Sequence, residues 1–545
     1  METVNRYLFE ALLRHSSRPM QVARGTTWTY SDVAKCVHGV AQWLTQKGIG
    51  PGDRVAMIAE NSPQWMHAYL GILAVGGVIV PRGEDTARSD LEYILEHSEV
   101  KLVFAGTKNA AAALPDHYDV TCLDSDKFPG PVEVDEETVR GYAAAVKEKD
   151  IAVILYTSGT TGKPKGVVLE HRNLGHQLRV LPPLVHIEAG DVWVSILPPW
   201  HTFEQTVELA AFHSGSVTVY SDKRRIRDDL REHQPHFFAS VPRIWESVKA
   251  GALSAIEKKS PLIAKLFAFS YAGSRAMRRG NPFGIFGHML GKTLFYKKVA
   301  AATGGRLKCA ISGGGYLPGH VDEFFDIVGV KLIIGYGLTE TAPVIAIRLP
   351  EDNVLGTIGR AVPETEFRIA PEGTVQVRGP QIMRGYYKDD ELTKSVLDDD
   401  GWFDTGDLVR ISDKGDLTFV GRAKETIVLS GGENVEPEPI ENRIKESALI
   451  DQVMLVGQDQ KNLGALVVVA AEDAPTGDEL TAAVRDILRA GTGAAAGLRP
   501  IEAVNRFHIV AEPFSTENGL MTQTLKLKRN VIADQYAAEI AALYT

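Results

Sequence analysis

Residues 156–166 form a hydroxyl- and glycine-rich loop, Tyr156-Thr157-Ser158-Gly159-Thr160-Thr161-Gly162-Lys163-Pro164-Lys165-Gly166, between apolar segments 151–155 and 167–169. Glycines let the backbone approach a ligand, hydroxyl groups donate hydrogen bonds, and lysines supply positive charge. The composition therefore predicts a loop that binds a polyphosphate. It is not a Walker A sequence, because Pro164 follows Gly162-Lys163 where a Ser or Thr would hold Mg²⁺. The alternative is an ordinary turn between two strands.

The chain around this loop alternates between helical and strand patterns. Ser31 is the predicted N-cap of one helix, residues 54–59 read as a strand, and residues 62–76 read as a buried helix. Such alternation predicts an α/β architecture with largely parallel sheets. Residues 356–420 are rich in Gly and Pro and predict a small β-rich subdomain. The remaining residues predict a compact α+β domain that begins near Gly421.

Length and composition limit the classes of protein that this chain can belong to. A chain of 545 residues is too long for one hydrophobic core, so at least two domains are expected. Its apolar content of 44% and charged content of 23% are typical of a globular protein. The 59 Lys and Arg against 69 Asp and Glu give a net charge of −10, which argues against nucleic acid as the main partner.

Cysteine usage and the apolar runs predict the location of the protein. Cys36, Cys122 and Cys309 are far apart, which fits a reducing compartment and argues against a disulfide framework or a zinc site. The first residues lack the apolar core of a signal peptide. The longest apolar run, 70–80, is shorter than the ~20 residues that span a bilayer. The sequence predicts a cytoplasmic protein and leaves peripheral attachment to the inner face of the membrane open.

The stretch 258–320 is locally basic in an acidic protein, because it contains no Asp or Glu. Aromatic residues are interleaved with its cations, which are Lys258, Lys259, Lys265, Arg275, Arg278, Arg279, Lys292, Lys297, Lys298, Arg306 and Lys308. One interpretation is a basic amphipathic surface, within 258–308, for an anionic membrane or another anionic ligand. The other is a solvated helical face whose acidic partners lie elsewhere in the fold.

Four further segments combine residues that suit a nucleotide site. Residues 312–315 (Ser-Gly-Gly-Gly) allow a flat ligand to lie against the backbone. Residues 336–340 supply an aromatic ring, a hydroxyl and a carboxylate, and residues 401–407 place a carboxylate beside a glycine turn. Residues 522–529 carry two lysines and an arginine close to the C-terminus.

This ordered set resembles the adenylate-forming superfamily of acyl-CoA synthetases, nonribosomal adenylation domains and luciferases. Residues 156–166 resemble its phosphate loop, 335–341 its adenine and Mg²⁺ segment, and 401–407 its ribose-binding segment. Residues 421–435 resemble its hinge and the start of its C-terminal domain. Residues 522–529 have the form of the catalytic-lysine segment in bacterial long-chain fatty acyl-CoA synthetases. The resemblance covers nearly the whole chain.

The resemblance implies a role for each matching residue. The β- and γ-phosphates of ATP would be enclosed by Thr157, Ser158, Gly159, Thr160, Thr161 and Lys165. The adenine would be bound by Gly313, Gly314, Gly315, Tyr336 and Gly337. In the catalytic set, Thr339 would bond the α-phosphate, Glu340 would hold Mg²⁺, and Lys526 would approach the carboxylate and the α-phosphate. Asp407, with Arg422 nearby, would bind the ribose, Lys424 would be the hinge, and His201 would line the acyl pocket.

The residues also have structural interpretations. Glu340 could pair within the fold, Asp407 could be a turn residue, and His201 could be an ordinary surface histidine. Lys528 is a rival for the catalytic role of Lys526, because it lies two residues away and would share its face if the segment is a strand.

The implied fold is α/β, with a large N-terminal ATP- and acyl-binding domain (1–420), a hinge (421–425) and a small mobile α+β C-terminal domain (426–545). The implied activity is ATP-dependent activation of a medium- to long-chain fatty acid to acyl-AMP and pyrophosphate. Transfer to CoA would then give acyl-CoA and AMP. The alternatives are an acyl-AMP ligase that loads a separate acyl carrier protein, and a non-catalytic acyl- or nucleotide-binding protein at the membrane.

Overall fold

A computed structural model describes residues 2–157, 163–222, 224–470, 474–522 and 526–545 of the chain. Two compact units account for it. The first contains residues 1–368, 377–403 and 413–417, and the second contains residues 369–376, 404–412 and 418–545. The expected combination of a large mixed α/β N-terminal part with a smaller C-terminal part is confirmed.

The first unit contains a nine-stranded sheet whose centre is parallel. In spatial order its strands are Arg360–Ala361, Val344–Ile347, Leu332–Gly337, Cys309–Ser312, Phe237–Ser240, Val192–Ser195, Val217–Tyr220, Pro19–Ala23 and Thr26–Thr29. Ser240 pairs in register with Ser312, and Ser312 pairs with Ile334. Because parallel strands end at the same edge of a sheet, the loops after these three strands are neighbours.

A seven-stranded sheet in the same unit carries the loop of residues 156–166. Its order is Gly385–Tyr386, Lys165–Glu170, Ile151–Thr157, Val78–Arg82, Arg54–Ile58, Leu102–Ala105 and Asp119–Cys122. Ile151–Thr157 and Lys165–Glu170 pair antiparallel, and the pair is closed by Thr157 opposite Lys165. Tyr386 pairs with Val167 at the edge of the sheet, which brings a distant segment beside the predicted phosphate loop.

Helices follow most strands of the first unit, as the alternating pattern predicts. They are Val4–Arg14, Tyr30–Gln46, Pro63–Ala74, Arg88–Ser98, Lys108–Ala112, Glu136–Ala144, His171–Val185, Thr202–His213, Ile226–His233, Pro242–Glu257, Pro261–Arg278, Ile285–Gly291, Lys297–Ala301, Gly319–Val328 and Asp390–Val396. The prediction of Ser31 as an N-cap is wrong. Thr29 caps that helix, because its side chain accepts from the Asp32 N–H and Asp32 accepts in return.

The first unit has buried apolar side chains on both sides of its sheets. One large cluster includes Phe9, Tyr30, Trp65, Leu70 and Phe104, and a second lies around the central parallel strands. The three cysteines are free thiols, and Cys309 is buried in its strand.

The second unit is α+β. Its three-stranded sheet has the order Ile450–Val456, Leu463–Val469 and Val504–Val510, and its helices are Pro437–Ile444, Gly477–Gly491, Arg529–Gln535 and Ala537–Ala542. A two-stranded ribbon, Ile427–Val428 with Asn434–Val435, precedes them. Four earlier strands, Glu366–Ile369, Thr374–Arg378, Phe403–Ile411 and Leu417–Arg422, lie where the boundary between the units passes along the chain.

The sequence left two interpretations of the basic stretch open, a surface for an anionic partner and a face with acidic partners in the fold, and its cations divide between them. Arg275 pairs with Glu323 at 3.0 Å and Arg278 pairs with Asp326, both on helix Gly319–Val328. Lys308 pairs with Glu188 and Asp191, and Arg306 contacts His236. Arg275, Arg278 and Lys308 therefore have acidic partners elsewhere in the first unit, so the structural interpretation holds for these three.

Candidate functional site

The predicted phosphate loop begins where strand Ile151–Thr157 ends. Ser158, Gly159, Thr160, Thr161 and Gly162 lie outside the described residues. Arg82 supports the end of this strand, because its Nη1 donates to the Tyr156 carbonyl at 3.0 Å. The same guanidinium lies 5.4 Å from the ring centroid of Trp200, next to the predicted acyl-pocket residue His201.

Lys165, Glu340 and Tyr386 meet in one cluster. The Lys165 ammonium lies 3.2 Å from Glu340 Oε1 and 2.7 Å from the Tyr386 hydroxyl. Tyr386 donates to the same Glu340 oxygen at 2.8 Å. Burial and the Glu340 charge raise the pKa of the Tyr386 phenol, so it keeps its proton. The fold thus brings a residue of the predicted phosphate loop to the predicted metal ligand.

Glu340 itself is fixed by its short 3₁₀ turn, Thr339–Thr341. The side chain is 9% exposed, and the backbone carbonyl accepts from the Met383 N–H at 2.9 Å. Thr339 is half-buried in the same turn, and Tyr336 and Gly337 are half-buried at the end of the preceding strand. A side chain at position 337 would collide with the Pro343 carbonyl, so this glycine is required by the turn.

The glycines at 313–315 follow strand Cys309–Ser312. A Cβ at Gly313 would lie 3.0 Å from the Phe203 ring, which packs beneath the segment. Gly314 has φ +74°, which strongly favours glycine. Phe203 belongs to helix Thr202–His213, so this helix supports the shelf that the sequence predicts for adenine.

Three hydroxyl groups at the ends of strands fit a phosphate-containing ligand. Ser240 and Ser312 are buried, and neither Oγ has a hydrogen-bond partner among the described residues. The Thr157 Oγ1 is buried without a described partner in the same way. Buried hydroxyls without partners are costly, and ligand oxygens would satisfy them. Each of these hydroxyls, like the Lys165 ammonium, could therefore donate to a phosphate oxygen.

His201 caps the helix below the shelf, because its Nδ1 accepts from the Phe203 N–H at 3.2 Å. This contact gives His201 a structural role, while its acyl-pocket role stays a prediction. Glu204 anchors the same helix from inside. Ser195 donates to the Glu204 carboxyl, and Asn61 Nδ2 contacts the Ser195 Oγ.

Glu208 is buried one turn after Glu204. Tyr220 donates to the Glu208 carboxyl, and Gln21 links Tyr220 to His67 through contacts of 2.9 Å. Burial raises the pKa of Glu204 to about 8 and that of Glu208 to about 7, and it lowers the pKa of His67 to about 4. The network therefore holds a neutral imidazole and carboxyls that keep protons toward neutral pH.

Glu204→Gln is expected to reduce the loss of folding stability that occurs as the pH rises toward 8. The folded protein holds the Glu204 proton up to a pKa of about 8, whereas the unfolded chain releases it near the ordinary 4.5. The unfolding free energy therefore falls by about 1.4 kcal/mol per pH unit per such group as pH rises between these values. Melting temperatures at about pH 5.5 and pH 8 should differ less in the variant than in the wild type.

The control for this prediction is Glu137→Gln, which removes an exposed carboxyl from the same unit. It should leave the difference between the two melting temperatures unchanged. A Glu204→Gln protein with the wild-type pH dependence would show that this carboxyl is ionised in the folded state.

The second unit carries a separate set of predicted residues. Asp407 is buried in strand Phe403–Ile411, and its Oδ1 lies 3.2 Å from the Arg422 Nε. Its backbone N–H donates to the Thr405 Oγ1 at 3.1 Å. Asp407 is therefore a fixed carboxylate paired with Arg422, and the ribose-binding role of both residues stays a prediction.

Lys526 belongs to this same unit and interacts electrostatically with Asp407. Desolvation lowers the pKa of the Lys526 ammonium, the positive charge of Arg422 lowers it further, and Glu438 and Asp407 oppose the shift. Because Lys526 as a whole is exposed, desolvation acts on only part of its side chain. The positive charge of Arg422 also lowers the pKa, so both causes act in the same direction. An ammonium poised beside the predicted ribose-binding residues is suited to act on a phosphate.

The rival Lys528 stands in another local environment. It is exposed and is the N-cap residue of helix Arg529–Gln535. The backbone N–H of Lys526, in contrast, donates to the Thr522 Oγ1 at 3.1 Å. The choice of Lys526 over Lys528 as the catalytic lysine stays a prediction. Lys424 is exposed in the short 3₁₀ turn Ala423–Glu425, and its hinge role stays a prediction.

Sequence reasoning missed Tyr386 and Arg82 as parts of the site. Both act through contacts across strands that are far apart in sequence, at separations of 46 residues for Tyr386 with Glu340 and 74 for Arg82 with Tyr156. The one signal in the sequence was local composition. Tyr386 follows a glycine and Arg82 precedes one, so each places a long side chain with a polar end beside a flexible backbone position.

Residues 8–387 match the family described as "AMP-binding enzyme", and residues 424–545 match "AMP-binding enzyme C-terminal domain". Three similar proteins each align with 95% of this chain. Probable acyl-activating enzyme 16 of Arabidopsis thaliana is 36% identical over 85% of its own length, and the long-chain-fatty-acid–[acyl-carrier-protein] ligase AEE15 of the same organism is 34% identical over 82%. The long-chain-fatty-acid–CoA ligase FadD15 of Mycobacterium tuberculosis is 32% identical over 92%.

Solved structures share the fold. The adenylation domain of a carboxylate reductase from Mycobacterium chelonae matches with a TM-score of 0.78 at 21% identity, covering 99% of this chain and 91% of that one. ATP-bound MatB from Rhodopseudomonas palustris matches with a TM-score of 0.73 at 23% identity, covering 98% and 99%.

Proposed function

This chain belongs to the AMP-binding enzyme family, and from that premise we propose that it activates a medium- to long-chain fatty acid with ATP. The products of the first step are acyl-AMP and pyrophosphate, and acyl transfer to CoA then gives acyl-CoA and AMP. The observation that carries the proposal is the contact of Lys165 with Glu340 and Tyr386, which joins the phosphate-loop strand to the predicted metal segment. The names of the relatives support a fatty acid as the substrate.

The first step is an in-line attack of the carboxylate on the α-phosphorus of ATP. Negative charge collects on the phosphate oxygens, so cations and hydrogen-bond donors in the site lower the barrier. Lys165 and the hydroxyl of Thr157 would bind the departing pyrophosphate, and Thr339 would donate to the α-phosphate. Lys526 would oppose the charge between the two reacting anions.

Glu340 fits a Mg²⁺ ligand in chemistry and placement, because Mg²⁺ prefers carboxylate oxygens and keeps several waters. When bound, Mg²⁺ would supply charge neutralisation on the phosphates. In the structure Lys165 and Tyr386 share one Glu340 oxygen. We propose that the ammonium leaves this oxygen for a phosphate when ATP binds, while the Tyr386 hydrogen bond keeps the carboxylate oriented.

The second step is attack of a thiol on the acyl-adenylate. We propose a rotation of the C-terminal domain about Lys424 between the two steps. It would remove Lys526 from the reacting centre and bring the Gly431–Asn434 turn toward it. Exposure of Lys424 in a one-turn helix is compatible with such a hinge.

A separate acyl carrier protein is the second candidate acceptor, because one relative at 34% identity carries that activity in its name. The two acceptors are separated by incubating the protein with ATP, Mg²⁺, a panel of fatty acids and either CoA or purified holo-acyl carrier protein. Acyl-CoA formation supports the first proposal. Pyrophosphate release with acylation of the carrier protein alone supports the second, and no pyrophosphate with any acid supports a non-catalytic binding protein.

We propose a cytoplasmic location with peripheral contact between residues 258–308 and the inner face of the membrane. None of the described helices is long and apolar enough to cross a bilayer. The exposed cations of this stretch support an attraction to anionic lipid.

A further inference from the structure

Within the basic stretch, two helices form a hairpin whose mutual contact is made by small residues. Helices Pro261–Arg278 and Ile285–Gly291 are joined by the 3₁₀ turn Pro282–Gly284. Their contact is made by glycines, because a Cβ on Gly273 would lie 2.8 Å from the Gly287 Cα, and one on Gly287 would lie 3.0 Å from the Gly273 Cα. Any larger residue at either position would push the helices apart.

Polar groups also lie inside this hairpin. Ser270 and Ser274 are fully buried. Across the hairpin, the Ser274 hydroxyl lies 3.2 Å from the His288 Nδ1. It also lies 2.6 Å from the hydroxyl of Tyr296, in the segment Lys292–Tyr296 that follows the shorter helix, and Tyr296 donates to the Ser270 carbonyl at 3.0 Å. Small residues and hydroxyl groups therefore fill the seam that apolar side chains fill in an ordinary helix pair in water.

The outside of the hairpin is apolar. Phe283 is 91% exposed, Phe286 67%, Met289 62% and Ile285 56%. Leu262 and Phe269 on the longer helix are exposed as well, and the ring of Phe269 lies 6.3 Å from that of Phe286, so the apolar face is continuous across both helices. Isolated exposed apolar residues are common in soluble proteins, but a contiguous aromatic face marks an interaction surface.

Exposed cations flank these apolar residues in sequence, and the stretch contains no acidic residue. Lys265, Lys292, Lys297, Lys298 and Arg279 are exposed, and none of them makes an ion pair with a described residue, in contrast to Arg275 and Arg278. The protein as a whole carries a charge of −10, so this concentration of unpaired cations is local. The charge favours an anionic partner, and the apolar face requires one with an apolar interior.

We propose that this hairpin inserts its apolar face among the acyl chains of one leaflet of an anionic bilayer. A small-residue seam with interhelical hydrogen bonds and an apolar exterior is the packing that helices adopt in lipid. The insertion deepens the membrane contact proposed above and is independent of the proposed ligase activity, since no hairpin residue belongs to the candidate site. The hairpin would lie in the interface, with the lysines at the level of the headgroups.

The test is flotation with phosphatidylglycerol-containing vesicles at about 0.1 M and about 1 M NaCl, because the higher salt screens surface charge within about 3 Å. Wild type should stay bound at high salt. The triple variant Phe283→Ser, Phe286→Ser, Met289→Ser should lose at least about tenfold in binding at both salt concentrations. The matched control Val354→Ser, Leu355→Ser removes two partly exposed apolar side chains elsewhere in the first unit and should bind like wild type.

Three further measurements test the mode of contact, its occupant and its independence of catalysis. Phe286→Trp should gain fluorescence quenching by lipids brominated on their acyl chains, beyond that of the wild-type tryptophans, and no gain would overturn insertion. Wild-type binding that disappears at high salt would leave a surface contact and also overturn insertion. Sedimentation without lipid tests a second copy as the occupant, and a dimer that the triple variant converts to monomer would contradict the proposal. Pyrophosphate release with octanoate, measured without vesicles, should be unchanged in the triple variant.

Discussion

Lys526→Ala is expected to lower acyl-adenylate formation by about 10³-fold, while thioester formation from supplied acyl-adenylate stays within about twofold of wild type. The alanine removes the one ammonium proposed to oppose charge at the α-phosphorus, and nothing in the second step requires it. Pyrophosphate release reports the first step. Consumption of synthetic acyl-adenylate in the presence of the thiol acceptor reports the second.

Lys528→Ala is the matched control, since it removes the same charge two positions away on an exposed residue. It should retain both steps. Equal losses in both steps for Lys526→Ala would contradict the proposal that this lysine serves only adenylation. A larger loss of pyrophosphate release for Lys528→Ala would transfer the catalytic role to Lys528.

Glu340→Gln is expected to reduce adenylation by about 10²-fold or more and to raise the Mg²⁺ concentration that gives half-maximal rate. Glutamine keeps the size of the side chain but removes the charge that would hold the cation. It also removes the charged partner of Lys165, which lies 3.2 Å away. Initial rates of pyrophosphate release across a Mg²⁺ titration measure both effects.

Two further variants serve as a milder change at the same site and as a control away from it. Tyr386→Phe deletes one hydrogen bond to the Glu340 carboxylate and should cost about tenfold in rate, since a hydrogen bond to a charged group contributes about 1.5–3 kcal/mol. Glu364→Gln removes an ion-paired glutamate away from the site, the partner of Arg179, and should leave the rate unchanged. A Glu340→Gln enzyme with the wild-type Mg²⁺ dependence would contradict the role of this residue as metal ligand.

Much of the first unit could be predicted because its information is local. The apolar run at 151–155 lies in strand Ile151–Thr157, residues 54–59 contain strand Arg54–Ile58, and residues 62–76 contain helix Pro63–Ala74. The order of strands and helices follows from their alternation. The cap at Thr29 was misplaced by two residues, because Thr and Ser are both good N-caps and the reciprocal contact with Asp32 decides between them.

The candidate site was predicted where a motif carries its own chemistry and missed where contacts span the chain. Lys165 and Glu340 could be identified from their segments, but their 3.2 Å contact depends on the packing of two different sheets. Tyr386 enters the site because its short strand pairs with Val167, and strand pairing between distant segments cannot be derived from periodicity.

The number of cations in the basic stretch does not show which of them are available to bind a partner. Arg275 and Arg278 looked equivalent to the lysines around them, yet both pair with acidic residues of a helix about 48 positions later. Charge reversal at these two arginines would disturb a structural contact and would not report on membrane binding alone.

The central claim is that this protein forms an acyl-adenylate without help from a thiol. Exchange of labelled pyrophosphate into ATP measures that step directly, because only reversible formation of an enzyme-bound adenylate returns the label to ATP. We predict exchange that depends on a medium- or long-chain fatty acid and on Mg²⁺ and that proceeds without CoA or carrier protein. Absence of exchange with every fatty acid tested, together with release of ADP and phosphate in place of AMP and pyrophosphate, would contradict the account.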